Sequence, residues 1–343
     1  MQIVDIQKVS NLGWVLSIPR VRFSARARRR RHGLTHHFLE PGPGTVHDYF
    51  SRALPPVLHV DSGDTVTVTS LDARGCLEEP TAPGEFGETF LPGARGHALC
   101  GPIFVRSALP GTALAIDLVS LRTGDWGWTI GGDRKERFMD YLDTSTAPMV
   151  ALQWRLDSQM QIATSNLGFS VDMRPFLGVI GLAPAEDGEF STTPPRYCGG
   201  NIDCKDLVQG SVLYLPVSVE GALLSVGDGH ARQGDGEVSG SAIECPTTAE
   251  LQLTVEAAPV VTTPYAKTPS SRITFGFDRD LNTASAAALD AMLTWMEGLF
   301  AVTRSEALAL ASTVVDLRIT QVANGVWGVH AVLEDDALRR SAG

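Results

Sequence analysis

The chain lacks any run of 18 apolar residues, any CxxC pair, any low-complexity tract and any repeat of fixed period. Without such an apolar run no transmembrane helix is expected, and no membrane partner with it. Five cysteines (Cys76, Cys100, Cys198, Cys204 and Cys245) make an odd set without close spacing. They read as reduced thiols of a cytoplasmic protein, not as a disulfide framework. Positive charge is scarce outside one place. The net charge is −11, and residues 1–34 contribute +7 to it, leaving −18 for the rest. An acidic body does not attract phosphates, so nucleic acid is not an expected partner. The basic stretch "RVRFSARARRRRH" admits a nucleic-acid arm, an Arg-rich transit peptide or sequence upstream of the true start. The plainer expectation for residues 1–34 is a dispensable disordered tail.

What is present is ordinary in bulk and specific in pattern. Of 343 residues, 43% are hydrophobic and 20% charged, enough for a sizeable core and about two domains. The 34 glycines and 20 prolines are spread among short apolar runs, which suits a chain of many strands and turns. "PPVLHVDSGDTVTVTSLDA" (55–73) reads as two strands joined at "DSGD". "GPIFVRSALPGTALAIDLVSLRTG" (101–124) reads as a hairpin around "ALPGT", and "SVLYLPVSVEGALLSVGDG" (211–229) as two strands turning at "VEG". Residues 78–96 and 186–201 are long loops, which in compact domains often carry function.

The end of the chain changes character. Asn282 or Thr283 caps a helix through "ASAAALDAMLTWMEGLF", Thr303 and Glu306 form a capping box, and a strand then leads to an Asn324-Gly325 turn. The fold class expected is therefore mostly β. Packed or strand-swapped β-sandwich domains span 35–174 and 175–260, with a small α+β segment at 261–343.

Chemistry concentrates in "SVGDGHARQGDGEVSGSAIEC" (225–245). Asp228 and His230 are two apart and point one way in extended backbone, and Asp235 and Glu237 repeat that spacing. Carboxylates with one imidazole suit Zn²⁺, Mn²⁺ or Ca²⁺, though a solvated acidic turn has the same composition. In a regular strand Glu237 and Glu244 face opposite sides, so only one reaches a given pocket unless Gly240 marks a bulge. Glu244 lies between Ile243 and Cys245, where an ionisable group is costly unless it works. Asp235 is expected to face water or brace the loop. A second cluster, "PPRYCGGNIDCKDL" (194–207), carries Asn201, Asp203, Cys204 and Lys205. Cys204 reads either as a nucleophile or as a small buried hydrophobe. Asp72 is a ligand or a turn residue, His97 a pocket or structural histidine, and Trp126 and Trp128 either plug a core edge or wall a pocket.

Those stretches resemble the acetamidase/formamidase family from about His36 onward. "STTPPRYCGGNIDCKDLVQG", "GDGHARQGDGEVSGSAIECP", "GPIFVRSALPGTALAIDL", "GDWGWT", "GVIGLAP" and "DLRITQVANGVWGVHAVL" are all similar to it. Cys100 departs from the small residue common before "GPI". The resemblance implies hydrolysis of short amides to a carboxylate and ammonia. It also implies a homo-oligomer of dimer size or higher and a divalent metal, Zn²⁺ before Ca²⁺ or Mn²⁺. The metal ligands expected are Asp72, Asp203, Asp228 and His230. The proton-transfer candidates are Glu244, then Glu237, with Asp203. The substrate wall falls to Trp126, Asn201 and His97. An amidase with a Cys204 nucleophile and a non-catalytic β-sandwich that binds a small ligand or carbohydrate stand as alternatives.

Overall fold

A computed structural model describes residues 34–132, 137–144 and 146–339; the basic tail lies outside them. Three sheets stack. The largest runs in the order His36–Leu39, Thr65–Ser70, Thr247–Glu256, Ala113–Thr123, Val212–Pro216, Tyr265–Lys267, Ser271–Asp278, Trp327–Glu334, Val315–Gln321. Its strands come from all three spans marked out in the sequence, so those spans share one sheet. The second sheet runs Gly199–Asn201, Phe176–Gly181, Leu224–His230, Leu99–Val105, Val46–His47, with Leu58–Val60 added parallel to Leu99–Val105. A third holds Ser170–Asp172, Ile162–Ser165, Val150–Asp157 and Trp126–Gly131.

Alternation explains the first sheet. In "TVTVTS" Val66 and Val68 are buried while the threonines between them are half-buried. β-branched residues suit that half-covered surface. Ala249, Leu251 and Leu253 do the same in the neighbouring strand, with Glu250, Gln252 and Thr254 outward. The second sheet has no outward face to spare. Phe176–Gly181 and Leu224–His230 are buried along their whole length. Leu114, Ile116 and Leu118 of the large sheet share one core with Ile103, Val105, Leu177 and Val226 of the second.

The three expected hairpins are not hairpins. Leu58–Val60 and Thr65–Ser70 lie in different sheets, as do Leu99–Val105 and Ala113–Thr123, and Val212–Pro216 and Leu224–His230. Each short connection carries the chain from one layer to the other. Both strands in each case bury residues in the same core, so the local pattern is that of a hairpin while the partners are remote.

The helical segment packs on the large sheet's last strands. Its long helix, Leu281–Phe300, is capped by Asp280 rather than Asn282 or Thr283: the Asp280 carboxylate accepts from Thr283 N–H at 2.9 Å. A carboxylate one residue before the helix satisfies an otherwise orphan amide. The Thr303–Glu306 capping box is present at the start of Arg304–Val314. Among the described residues no helix is long and apolar enough to cross a membrane.

Candidate active site

Three buried acids sit on left-handed backbone: Asp203 (φ 52°), Asp228 (φ 59°) and Glu237 (φ 43°). Such conformations are costly for residues other than glycine and gather where surrounding structure enforces them. Here the enforcement is visible. Asp228 lies between two glycines near the end of the run Leu224–His230, and Asp203 follows the strand Gly199–Asn201. Both turn their carboxylates toward Gly178 in the adjacent strand. A Cβ at Gly178 would stand 2.5 Å from Asp228 Oδ2, 2.6 Å from Asp203 Oδ1 and 2.8 Å from His230 Cε1. The glycine is the space into which the site is built.

Glu237 and Glu244 both reach His230, contrary to the regular-strand expectation. Residues 236–240 turn, with Gly236 at φ 98° and Gly240 at φ 70°, and so bring both glutamates to one side. His230 Nε2 lies 3.1 Å from Glu244 Oε2 and 3.5 Å from Asp228 Oδ2. Its other nitrogen, Nδ1, meets Gln233 Oε1 at 3.0 Å, while Gln233 Nε2 donates to the Asp203 carbonyl at 2.7 Å. That second bond fixes the Gln233 amide, so its oxygen faces Nδ1 and Nδ1 carries the hydrogen. Nε2 is thereby aimed at Glu244 and Asp228, while Asp203 Oδ1 lies 4.0 Å from Nδ1.

Buried polar atoms nearly always find partners. Here a set without hydrogen-bond partners converges: Asn201 Oδ1, Asp203 Oδ1, Asp228 Oδ1, His230 Nε2, Glu237 Oε2 and Glu244 Oε2. Ligand atoms of Asp203, Asp228 and His230 lie within 4.8 Å of one another, and so do those of His230, Glu237 and Glu244. The other oxygens are held: Asp203 Oδ2 by Asn324 Nδ2 at 2.6 Å, Glu244 Oε1 by Ala242 N–H at 2.7 Å.

Crowded like charges out of water cannot all stay ionised. Burial, with the neighbouring Glu244 and Asp228, pushes Glu237 up to about 8 against the pull of His230. Burial pushes Glu244 up to about 7, His230 again opposing. Burial and Glu237 raise Asp203 well above its ordinary range. Asp228 goes the other way: its burial is outweighed by attraction to the nearby imidazoles of His97 and His230. For His230 itself burial is outweighed by Glu244 and Asp228, so its affinity for a proton rises.

Asn201, Asp228, Glu237 and Glu244 of this group line a cavity of about 510 Å³ together with His97, Trp128 and Asn324, whereas Asp203 and His230 are not among its lining residues. That volume is in the range of small-molecule sites. Trp128, not Trp126, lines it, because Trp128 pairs with Glu244 through both backbone bonds (3.0 and 2.9 Å). Asp72 stands apart from the converging ligand atoms. Its oxygens accept from Cys76 N–H and Trp128 Nε1, each at 2.6 Å, so it orients the tryptophan. His97 stacks no ligand-like geometry of its own: Nδ1 meets Thr192 Oγ1 at 2.9 Å and Nε2 is 3.9 Å from Asp228 Oδ2. Asp235 is exposed and paired with Lys205. Cys204 is buried in the sandwich core, away from the cavity, and burial raises its thiol further from the reactive thiolate. Gly178, Gln233 and Asn324 were not singled out in the sequence. Asn324 reads there only as a turn residue, and Gly178 sits inside the apolar run "LGVIGLAP".

The sequence profile described as the Acetamidase/Formamidase family matches residues 36–189 and 185–273. The chain belongs to this family. It is 27% identical over 251 residues to a formamidase of Methylophilus methylotrophus, covering 57% of this chain and 60% of that protein. It is 34% identical over 149 residues to an acetamidase of Mycolicibacterium smegmatis, covering 43% of this chain and 30% of that one. The matched part thus spans well under the full length of either relative. Among solved structures, an acetamidase from Bacillus halodurans is similar at 26% identity and a TM-score of 0.77, over 87% of this chain and 97% of the other. Family membership and the shared fold extend across the motifs that supply Asp203, Asp228, His230 and Glu244.

Proposed function

We propose that the protein is an amidohydrolase that cleaves short aliphatic amides to a carboxylate and ammonia. The observation that carries this is a set of partnerless buried oxygens near one imidazole, most of them on residues that line a cavity, in a chain of this family. The donor set fits a divalent ion: carboxylates with one imidazole whose tautomer is fixed from behind, over a glycine that leaves room. Asp203 Oδ1, Asp228 and His230 Nε2 would hold it, with Zn²⁺ the first choice for this nitrogen-and-oxygen set. When bound, such an ion supplies Lewis acidity toward an amide carbonyl and makes a water more acidic.

The remaining work belongs to side chains. Glu244 Oε2 takes a proton from water and hands it to the amide nitrogen, since ammonia leaves only from a protonated nitrogen. Its Oε1 stays anchored on Ala242 N–H, which keeps Oε2 aimed inward. Asn201 Oδ1, buried and partnerless, accepts an N–H of the substrate and sets which end of the amide faces Glu244. Trp128 and His97 wall the acyl side. Ammonia release from formamide and acetamide by the wild type and by Glu244→Gln tests the reading. It expects release from the wild type and a drop of about 10²–10⁴ in the variant. No release from either amide overturns it.

A further inference from the structure

The turn between the strands Val315–Gln321 and Trp327–Glu334 lies beyond the family-matched residues, yet it reaches the cavity floor. Asn324, only 6% exposed, donates from Nδ2 to Asp203 Oδ2 at 2.6 Å across 121 residues of sequence. Asn324 is held in turn. Gln321 Oε1 accepts from Ala323 N–H at 2.8 Å and Asn324 N–H at 2.9 Å, and Gln321 Nε2 donates to the Val326 carbonyl at 3.1 Å. The same turn grips a second part of the site. Gly236 N–H donates to the Thr320 carbonyl at 3.0 Å and Val322 N–H to the Gly236 carbonyl at 2.9 Å, directly before Glu237.

We infer that this C-terminal turn is a positioning strap for the acidic floor, with Asn324 its working side chain. Occupying Asp203 Oδ2 leaves Oδ1 as the single free oxygen of that carboxylate, facing Asp228 and His230. The Gly236 clamp fixes the neighbouring glutamate through backbone. A chelating group restricted to one oxygen in one orientation loses less freedom on binding an ion, and groups behind metal ligands are worth about 10- to 100-fold in affinity when removed. The inference rests on the divalent-ion reading above.

The test is titration of the chelator-stripped full chain with Co²⁺, followed by calorimetry and visible absorption, for the wild type, Asn324→Ala and Asn324→Asp. Asn324→Asp keeps the shape, removes the donor and sets a carboxylate against Asp203. The strap predicts Co²⁺ binding weakened about 10- to 100-fold in Asn324→Ala and at least as much in Asn324→Asp. It also predicts an altered Co²⁺ absorption band and a loss in amide hydrolysis that falls on kcat more than on KM. Wild-type affinity and spectrum in both variants, even with a lowered thermal midpoint, overturn the strap while leaving the ion reading intact. Absence of Co²⁺ binding by the wild type overturns the ion reading and the strap with it.

Discussion

Two buried histidines, His230 and His330, each sit among acids within one fold, and they are not alike. Around His230 the neighbours are Asp203, Asp228, Glu237 and Glu244, and the last three line a cavity. Around His330 the acid is Asp206, only three residues after Asp203, and that carboxylate is met by two guanidinium groups and the imidazole. Arg174 lies 3.1 Å from Oδ1, Arg318 lies 3.4 Å from Oδ2, and His330 Nε2 is 3.7 Å away, too far for a full hydrogen bond. Its Nδ1 meets Thr320 Oγ1 at 2.8 Å. Approach of His330, with Lys205 and Arg174, holds the Asp206 carboxyl down to about 2 despite burial. Cys204, Asp206 and His330 also have ligand atoms within reach of one another, but none of the three lines the cavity. Residue type and burial are therefore not what separates the proposed site from the Asp206 cluster. Excess acid over cation, and an opening to solvent, separate them.

The largest separation between the clusters should appear on deleting one member of each. His230→Ala should lose the bound divalent ion and amide hydrolysis together. Asp206→Asn should keep activity per folded molecule and cost about 1–3 kcal/mol of stability, for hydrogen bonds to charged groups lost. Chemical denaturation and ammonia release on the two variants measure the contrast. Next in size, Gly178→Ala fills the cradle between Asp203 and Asp228. It should abolish ion binding and destabilise by about 1–3 kcal/mol through overpacking. A variant that binds the ion normally would show the cradle to be slack.

A smaller effect concerns acid. The folded-state pKa of Asp206 is depressed, so its contribution to stability is complete above the ordinary carboxylate range near ~4 and drains away as pH falls through about 2. Acid unfolding of Asp206→Asn should thus be less steep between those values than that of the wild type. Smallest is Cys204→Ala. It removes a buried thiol from the core and should cost about 1 kcal/mol with unchanged hydrolysis. Loss of hydrolysis in a folded Cys204→Ala protein would restore the nucleophile reading.

Asp203, Asp228, His230 and Glu244 were legible in the chain because ionisable residues among glycines and apolar strand residues are expensive without a use. The mostly β class was legible from the same spacing of short apolar runs. The layer crossings were not, because strands on either side of a short turn bury the same kinds of residue whether they pair with each other or with distant strands. Glu237, a candidate in the sequence, stands beside Glu244 by the exception at Gly240, since backbone at positive φ through Gly236, Glu237 and Gly240 replaces a regular strand there. Asn324 carries no local sign of its reach to Asp203, since the carboxylate it meets lies 121 residues earlier in the chain. Contacts of that kind are set by topology, not by neighbours in sequence.

The claim that the acidic floor around His230 works by holding a divalent ion is tested most directly by metal removal and return. A chelator-stripped sample should lose ammonia release from formamide and acetamide, and added Zn²⁺ should restore it in the wild type and in Asp206→Asn but not in His230→Ala. Undiminished ammonia release from a sample shown by elemental analysis to be free of divalent metal would contradict the account.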